Sequence, residues 1–202
     1  METFTQIPIS INPTTHEVTS TPNNDTTLAK ELEALNKLHR ALVGPQSEAR
    51  DGVAPPPTAV NPKRSAQLTK LRDSGNAAFR GGKFADAIKL YSLGIDMALG
   101  RPVWEPAALC RDELAGLYSN RAQAHMGIQQ WPEGAIDAGC SVELKKNQNP
   151  KAWWRKGKCL FEMGRLEEAD RWLEEGIEFE GQEQDLLDLL KQVKEAEARK
   201  KS

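Results

Sequence analysis

One spacing, met twice and echoed a third time, constrains this chain more than any other feature. Leu71, Gly75, Ala78 and Phe79, followed by Phe84, Ala87 and Tyr91, match in position Trp153, Gly157, Leu160 and Phe161, followed by Leu166, Ala169 and Leu173. Between them Tyr118, Ala122 and His125, then Trp131, Gly134 and Ala138, keep the same frame with poorer residues. The equivalent small residues Ala87, Gly134 and Ala169 are separated by 47 and 35 residues, so the first interval carries an insertion of about a dozen residues. A unit of this length cannot bury its apolar face alone and must stack on its neighbours. Small residues (Gly75 with Ala87, Ala122 with Gly134, Gly157 with Ala169) bring two helices of a hairpin close, while bulky ones fill the space between hairpins. Gly81-Gly82, Gln129-Gln130 and Gly164 mark turns. Pro62 after Asn61, and Pro150, suit helix starts. Leu186, Leu187, Leu190 and Val193 make one stripe on an otherwise charged final helix, which reads as a cap on the stack.

Composition divides the chain. Eight of the twelve prolines fall in residues 1–63 and all five tryptophans beyond it, so the packed domain is C-terminal. Ile7, Ile9 and Ile11 alternate with Pro8 and Ser10 as a short edge strand. Leu28, Leu32, Leu35 and Leu42 follow helical spacing from Thr27 to Val43, with Gly44-Pro45 as a stop. A lone strand cannot stand, so residues 1–44 are expected to be a docking segment that needs a partner to cover its apolar faces. Residues 45–61, with Pro55-Pro56-Pro57 in a polar run, read as a linker. The expected organisation is then three motifs at about 68–101, 115–148 and 150–183 within 62–183, an insertion near 100–113, and a capping helix over 184–202.

Other readings are weak. A net charge of −2 marks no overall field for nucleic acid or anionic lipid. No stretch approaches the ~18 apolar residues that span a bilayer, and the N-terminus lacks the basic-then-apolar pattern of a secretory signal. Cys110, Cys140 and Cys159 are odd in number, widely spaced and set in apolar helical context, so they read as reduced core residues, and His16, His39 and His125 offer no metal-ligand spacing beside them. No Gly-rich phosphate loop and no nucleophile with a base is present, and the pairs Glu167-Glu168 and Glu174-Glu175 suit solvated helix faces. A non-catalytic chain without cofactor or metal is expected.

The repeats resemble tetratricopeptide (TPR) motifs, which implies an all-α superhelix of three helical hairpins and a cap, with the small N-terminal strand and helix appended. The resemblance extends to TPR domains with a carboxylate clamp for the acidic C-terminal tails of cytosolic 70- and 90-kDa heat-shock chaperones. That pattern is a basic residue and an asparagine four apart in the first helix A, an asparagine in the second, and a lysine and an arginine four apart in the third. Here Arg72 and Asn76, Asn120, and Lys151 and Arg155 fill these places, with Arg72 where the family usually has lysine. The chemistry stands without the name: residues four apart share a helix face, and lysine, arginine and asparagine offer directional donors to carboxylate oxygens. Arg121 and Lys156, one residue further on, are expected to support the helices from another face. Trp153 occupies the packing position, and Trp154 stays open.

The insertion Gly100-Arg101-Pro102-Val103-Trp104-Glu105-Pro106, the N-terminal segment and the length resemble the small TPR subunit of the fungal post-translational Sec complex. That resemblance implies a peripheral protein on the cytosolic face of the endoplasmic reticulum, not itself inserted, held by a membrane-anchored Sec subunit that meets residues 1–43 and touching other translocation-complex subunits. It further implies that the clamp takes the tail of a 70-kDa chaperone carrying a precursor. A scaffold whose groove holds a neighbouring subunit, and a soluble co-chaperone, are the alternatives.

Overall fold

The computed structural model describes residues 8–20, 26–43, 60–102 and 104–201, in two units divided between Pro57 and Thr58. Ile7, Gly44-Pro45, most of the expected linker and Val103 lie outside the described residues, as does the side chain of Leu42.

In the first unit β1 (Ile9–Ile11) pairs antiparallel with β2 (Val18–Ser20), Ile9 opposite Ser20 and Ile11 opposite Val18. The expected lone strand is thereby corrected to a hairpin. The sequence signal was the turn: Asn12 Oδ1 accepts from the amides of Thr14 (2.8 Å) and Thr15 (3.0 Å), and His16 takes the left-handed conformation at φ 54°. Helix α1 (Thr26–Val43) carries Asn36, whose buried amide mimics a strand: its Oδ1 accepts from Val18 N (2.8 Å) and its Nδ2 donates to Val18 O (2.9 Å). Leu32 is buried beside it, whereas Ile9, Ile11, Leu35 and Leu38 remain exposed.

The second unit is a right-through stack of antiparallel pairs. Helices α2 (Pro62–Arg80) and α3 (Phe84–Leu99) form the first hairpin, α4 (Ala107–Gly127) and α5 (Trp131–Leu144) the second, α6 (Pro150–Glu162) and α7 (Leu166–Glu180) the third, and α8 (Gln184–Lys201) closes the array. Each helix packs on the next in sequence. Asn61 caps α2 by accepting from Lys63 N (3.0 Å), with Pro62 at the first helical position. Two residues before each second helix the chain turns through positive φ, at Gly82 (73°), Gln129 (59°) and Gly164 (72°). The middle repeat thus holds a glutamine where its neighbours use glycine, at a cost of about 1 kcal/mol.

Close approach accounts for the small residues. A Cβ on Gly75 would lie 2.5 Å from the Tyr91 ring, and one on Gly157 would lie 2.5 Å from Leu173. One core gathers Leu68, Ala87, Tyr91, Ile95 and Leu117; another gathers Trp153, Leu160, Leu173 and the inner face of α8. That face is Leu186, Leu189, Leu190 and Val193, which corrects the expected stripe: Leu189 is buried and Leu187 only half-buried, because the positions three, four and seven on from Leu186 face α7. Trp153 is fully buried, its indole donating to Lys146 O (2.9 Å).

The insertion is locked by charge. Arg101, nearly buried, donates to both Glu113 oxygens (2.7 and 2.6 Å), to Glu105 and to Ser65 Oγ (3.0 Å), joining the loop to α2 and α4.

Candidate functional site

The first helices of the three hairpins, α2, α4 and α6, touch in order, and the five expected residues lie along them. Hydrogen bonds bring Asn76 and Asn120 together: Asn76 Oδ1 accepts from Asn120 Nδ2 (3.2 Å) and from the Tyr91 hydroxyl (2.7 Å). An oxygen that accepts twice fixes the amide, so the Nδ2 hydrogens of Asn76 and the second hydrogen of Asn120 are the donors a ligand would meet. Tyr91, buried on α3, was legible only as a packing position; burial raises its hydroxyl's pKa, which keeps it a donor.

Arg155 reaches across to α4. Its Nε donates to Gln123 Oε1 (2.8 Å), and one terminal nitrogen donates to Ser119 O (2.8 Å) and to the Ser119 hydroxyl. Every one of these partners is neutral, and among the described residues no carboxylate lies within ion-pair distance of Arg155. Burial pulls its pKa down to about 10, against a weak opposing pull from Tyr91, yet the guanidinium stays charged at neutral pH. A desolvated cation held by neutral acceptors is oriented but uncompensated. Ser119 and Gln123 were not singled out from sequence; their signal was their place one residue before and three after Asn120 on the same helix.

The outer basic residues differ. Lys151, one turn from Arg155, is exposed and lines a depression of about 330 Å³ with Gln123, Trp154 and Arg155. Arg72 is exposed and turns to its neighbour Asp73 (3.2 Å), so the contacts bring Asn76 to Asn120 and set Lys151 beside Arg155 but leave Arg72 with neither pair. Arg121 and Lys156 face elsewhere: Arg121 grips Asp137 on α5 through two bonds of 2.7 Å, and the Lys156 ammonium sits 3.6 Å over the Trp172 ring on α7. A larger depression, about 690 Å³, lies among Leu99, Ile136, Cys140 and Lys156 and contains none of the five. Size alone therefore does not locate the donors. Among the described residues no group of three or more His, Cys, Asp or Glu side chains gathers for a metal, and no helix is long and apolar enough to cross a membrane.

No protein-family model matches the chain. Over 122 residues it is 37% identical to the ER protein translocation subcomplex subunit sec67 of Schizosaccharomyces pombe, a match that takes in 60% of this chain and 63% of that protein. The second TPR domain of human RPAP3, solved in complex with the HSP70 peptide SGPTIEEVD, superposes with a TM-score of 0.53 at 28% identity, covering 65% of this chain and 98% of that one. The fold is a TPR superhelix. It also superposes, at a TM-score of 0.67 and 22% identity, on a chain of the Saccharomyces cerevisiae Sec complex, covering 96% of this chain and 100% of that chain. The match to sec67 spans under two thirds of that relative's own length.

Proposed function

We propose that this chain is a non-catalytic adaptor that binds the acidic C-terminal tail of a cytosolic heat-shock chaperone in the groove of its TPR superhelix. The observation that carries this reading is Arg155, a half-buried cation whose hydrogen-bond partners are all neutral, held to Ser119, the residue before Asn120, and in electrostatic reach of Tyr91, which orients the Asn76 amide. A terminal carboxylate supplies the missing charge and accepts from Arg155, Asn76 and Asn120. Lys151 and Arg72 then serve as exposed, salt-sensitive contacts, Arg72 after leaving Asp73. Each charge-assisted bond contributes about 1.5 to 3 kcal/mol, so a few of them reach micromolar affinity, roughly −8 kcal/mol, after ordering costs.

The 70-kDa class is the proposed source of the tail, supported by the HSP70 peptide held by a similar TPR domain. Homology to an ER translocation subunit supports work at the cytosolic face of the endoplasmic reticulum, where the chain would bring chaperone-held precursors to the channel. The exposed Ile9, Ile11, Leu35 and Leu38 of the first unit are apolar surface suited to a membrane-anchored partner, so residues 1–43 would provide the attachment.

Calorimetric titration with SGPTIEEVD, its C-terminally amidated twin and an Asn76→Ala variant tests the clamp. Micromolar binding weakened in both controls is expected. No binding by the folded protein would leave the groove as a scaffold for a neighbouring subunit. Deleting residues 1–43 should release the protein from membranes in a fractionation, whereas an unchanged distribution would favour a soluble co-chaperone.

A further inference from the structure

Arg121 and Arg155 present the same fork of donors, and the fold fills only one of them. A guanidinium has five N–H hydrogens, and its Nε and one terminal nitrogen share an edge that matches the two oxygens of a carboxylate. On Arg121 the carboxylate of Asp137 takes that edge, accepting from Nε and from Nη2 at 2.7 Å each. On Arg155 the edge meets Gln123 instead. Its Oε1 accepts from Nε at 2.8 Å, and Nη1 donates to the Ser119 carbonyl (2.8 Å) and to the Ser119 hydroxyl. An amide has one oxygen where a carboxylate has two, and among the described residues Nη2 of Arg155 donates to no acceptor. Because arginine only donates, Gln123 must turn its oxygen to the guanidinium, which leaves the Nε2 hydrogens to face outward. No acceptor among the described residues takes those either. Gln123 stands half-buried three residues after Asn120, on the same face of α4. With Arg155 and Lys151 it lines one depression, so these donors open on the space a ligand would occupy. Glu183 and Asp185 share that lining, yet neither forms an ion pair with Arg155 or Lys151 among the described residues.

Resting on the tail reading, we infer that Gln123 is a further tail-binding residue beside the five expected from sequence, and that its neutrality is what keeps Arg155 available. It acts in two ways. Its oxygen holds the guanidinium through Nε without supplying a charge, so that Nη2 and the positive charge remain for the ligand. Its Nε2 hydrogens add to the donors of the same depression, so that a carboxylate of the tail accepts from Arg155 and Gln123 together. A glutamate at this position would close the fork as Asp137 closes that of Arg121, and the groove would lose its cation to the fold. Glutamine reaches equally far and leaves the charge unanswered.

Calorimetric titration of SGPTIEEVD into the native full chain and into its Gln123→Met, Gln123→Glu and Lys151→Gln variants tests this. Methionine keeps the length of the side chain and removes both the acceptor and the donors; it is expected to weaken binding about two- to tenfold. Glutamate is expected to weaken binding about 10- to 100-fold, as far as Arg155→Ala does, with a thermal midpoint no lower than the native one. Lys151→Gln changes the charge of the same depression by the same amount without touching Arg155. Its expected cost is about two- to fivefold, and high salt should remove it while the effect of Gln123→Glu persists. The inference is overturned if Gln123→Met binds as the native chain does, or if Gln123→Glu weakens binding no more than Lys151→Gln; native binding in those cases leaves the tail reading standing. If the native chain itself does not bind the peptide, the tail reading has failed and this inference falls with it. Should Gln123→Glu lose its helical circular dichroism, the comparison of Gln123→Met with the native chain decides.

Discussion

Two arginines on neighbouring first helices, Arg121 on α4 and Arg155 on α6, show how the same side chain serves opposite purposes. Arg121 is bound twice by the carboxylate of Asp137, once by Ser92, and shares that carboxylate with His125 at 3.7 Å. Its hydrogen bonds to Asp137 raise its pKa. Arg155 has bonds of equal length but only to neutral oxygens, and burial lowers its pKa. The first arginine is complete within the fold and joins α3, α4 and α5. The second is positioned by the fold and left short of an anion. A partly buried cation therefore points to a ligand when its partners are polar and uncharged, not simply when it is basic and lies in a groove.

Mutations sharpen this contrast. Asp137→Ala leaves the half-buried Arg121 without its carboxylate, held only by Ser92, and should lower stability by about 3 kcal/mol, read as a shift in the urea midpoint. Arg155→Ala should weaken binding of an acidic tail by about 10- to 100-fold while changing unfolding stability by less than about 1 kcal/mol, since the cation it removes had only neutral partners and its own desolvation cost is relieved. If Arg155→Ala unfolded the protein as severely as Asp137→Ala, the distinction between the two arginines would be lost. Tyr91→Phe removes the hydroxyl that holds the Asn76 oxygen and should cost about two- to tenfold in tail affinity by calorimetry. Lys151→Ala should have the smallest effect, about two- to fivefold, and its contribution alone among these should vanish in high salt.

Much of this was legible before any coordinates. The frame running from Leu71 through Leu173 is a packing code: glycine sits where the Tyr91 and Leu173 side chains pass, so its period reports the stacked hairpins directly. Four apart on a helix means one face, which is why Lys151 and Arg155 were assigned together. Three things were not legible. The β1–β2 hairpin had a local signal in the Asn12 turn, but its anchoring to the strand-like amide of Asn36, eighteen residues away from Val18, had none. The choice of Leu189 over Leu187 turns on a few tens of degrees of rotation of α8 about its axis, finer than a stripe of leucines can specify. The supports of Arg155, Ser119 and Gln123, are ordinary polar residues on a different helix, and only the fold makes them neighbours.

Gly75 has no side chain to offer a ligand, yet it decides where the Tyr91 ring rests, and the ring's hydroxyl in turn decides which way the Asn76 amide points. The position thus belongs to the recognition apparatus by subtraction. Attempts to retune the groove for a new tail are free to vary Lys151 or Arg72 singly, but Asn76, Tyr91 and Gly75 form one inherited module, and any library that diversifies one of them must carry the other two along.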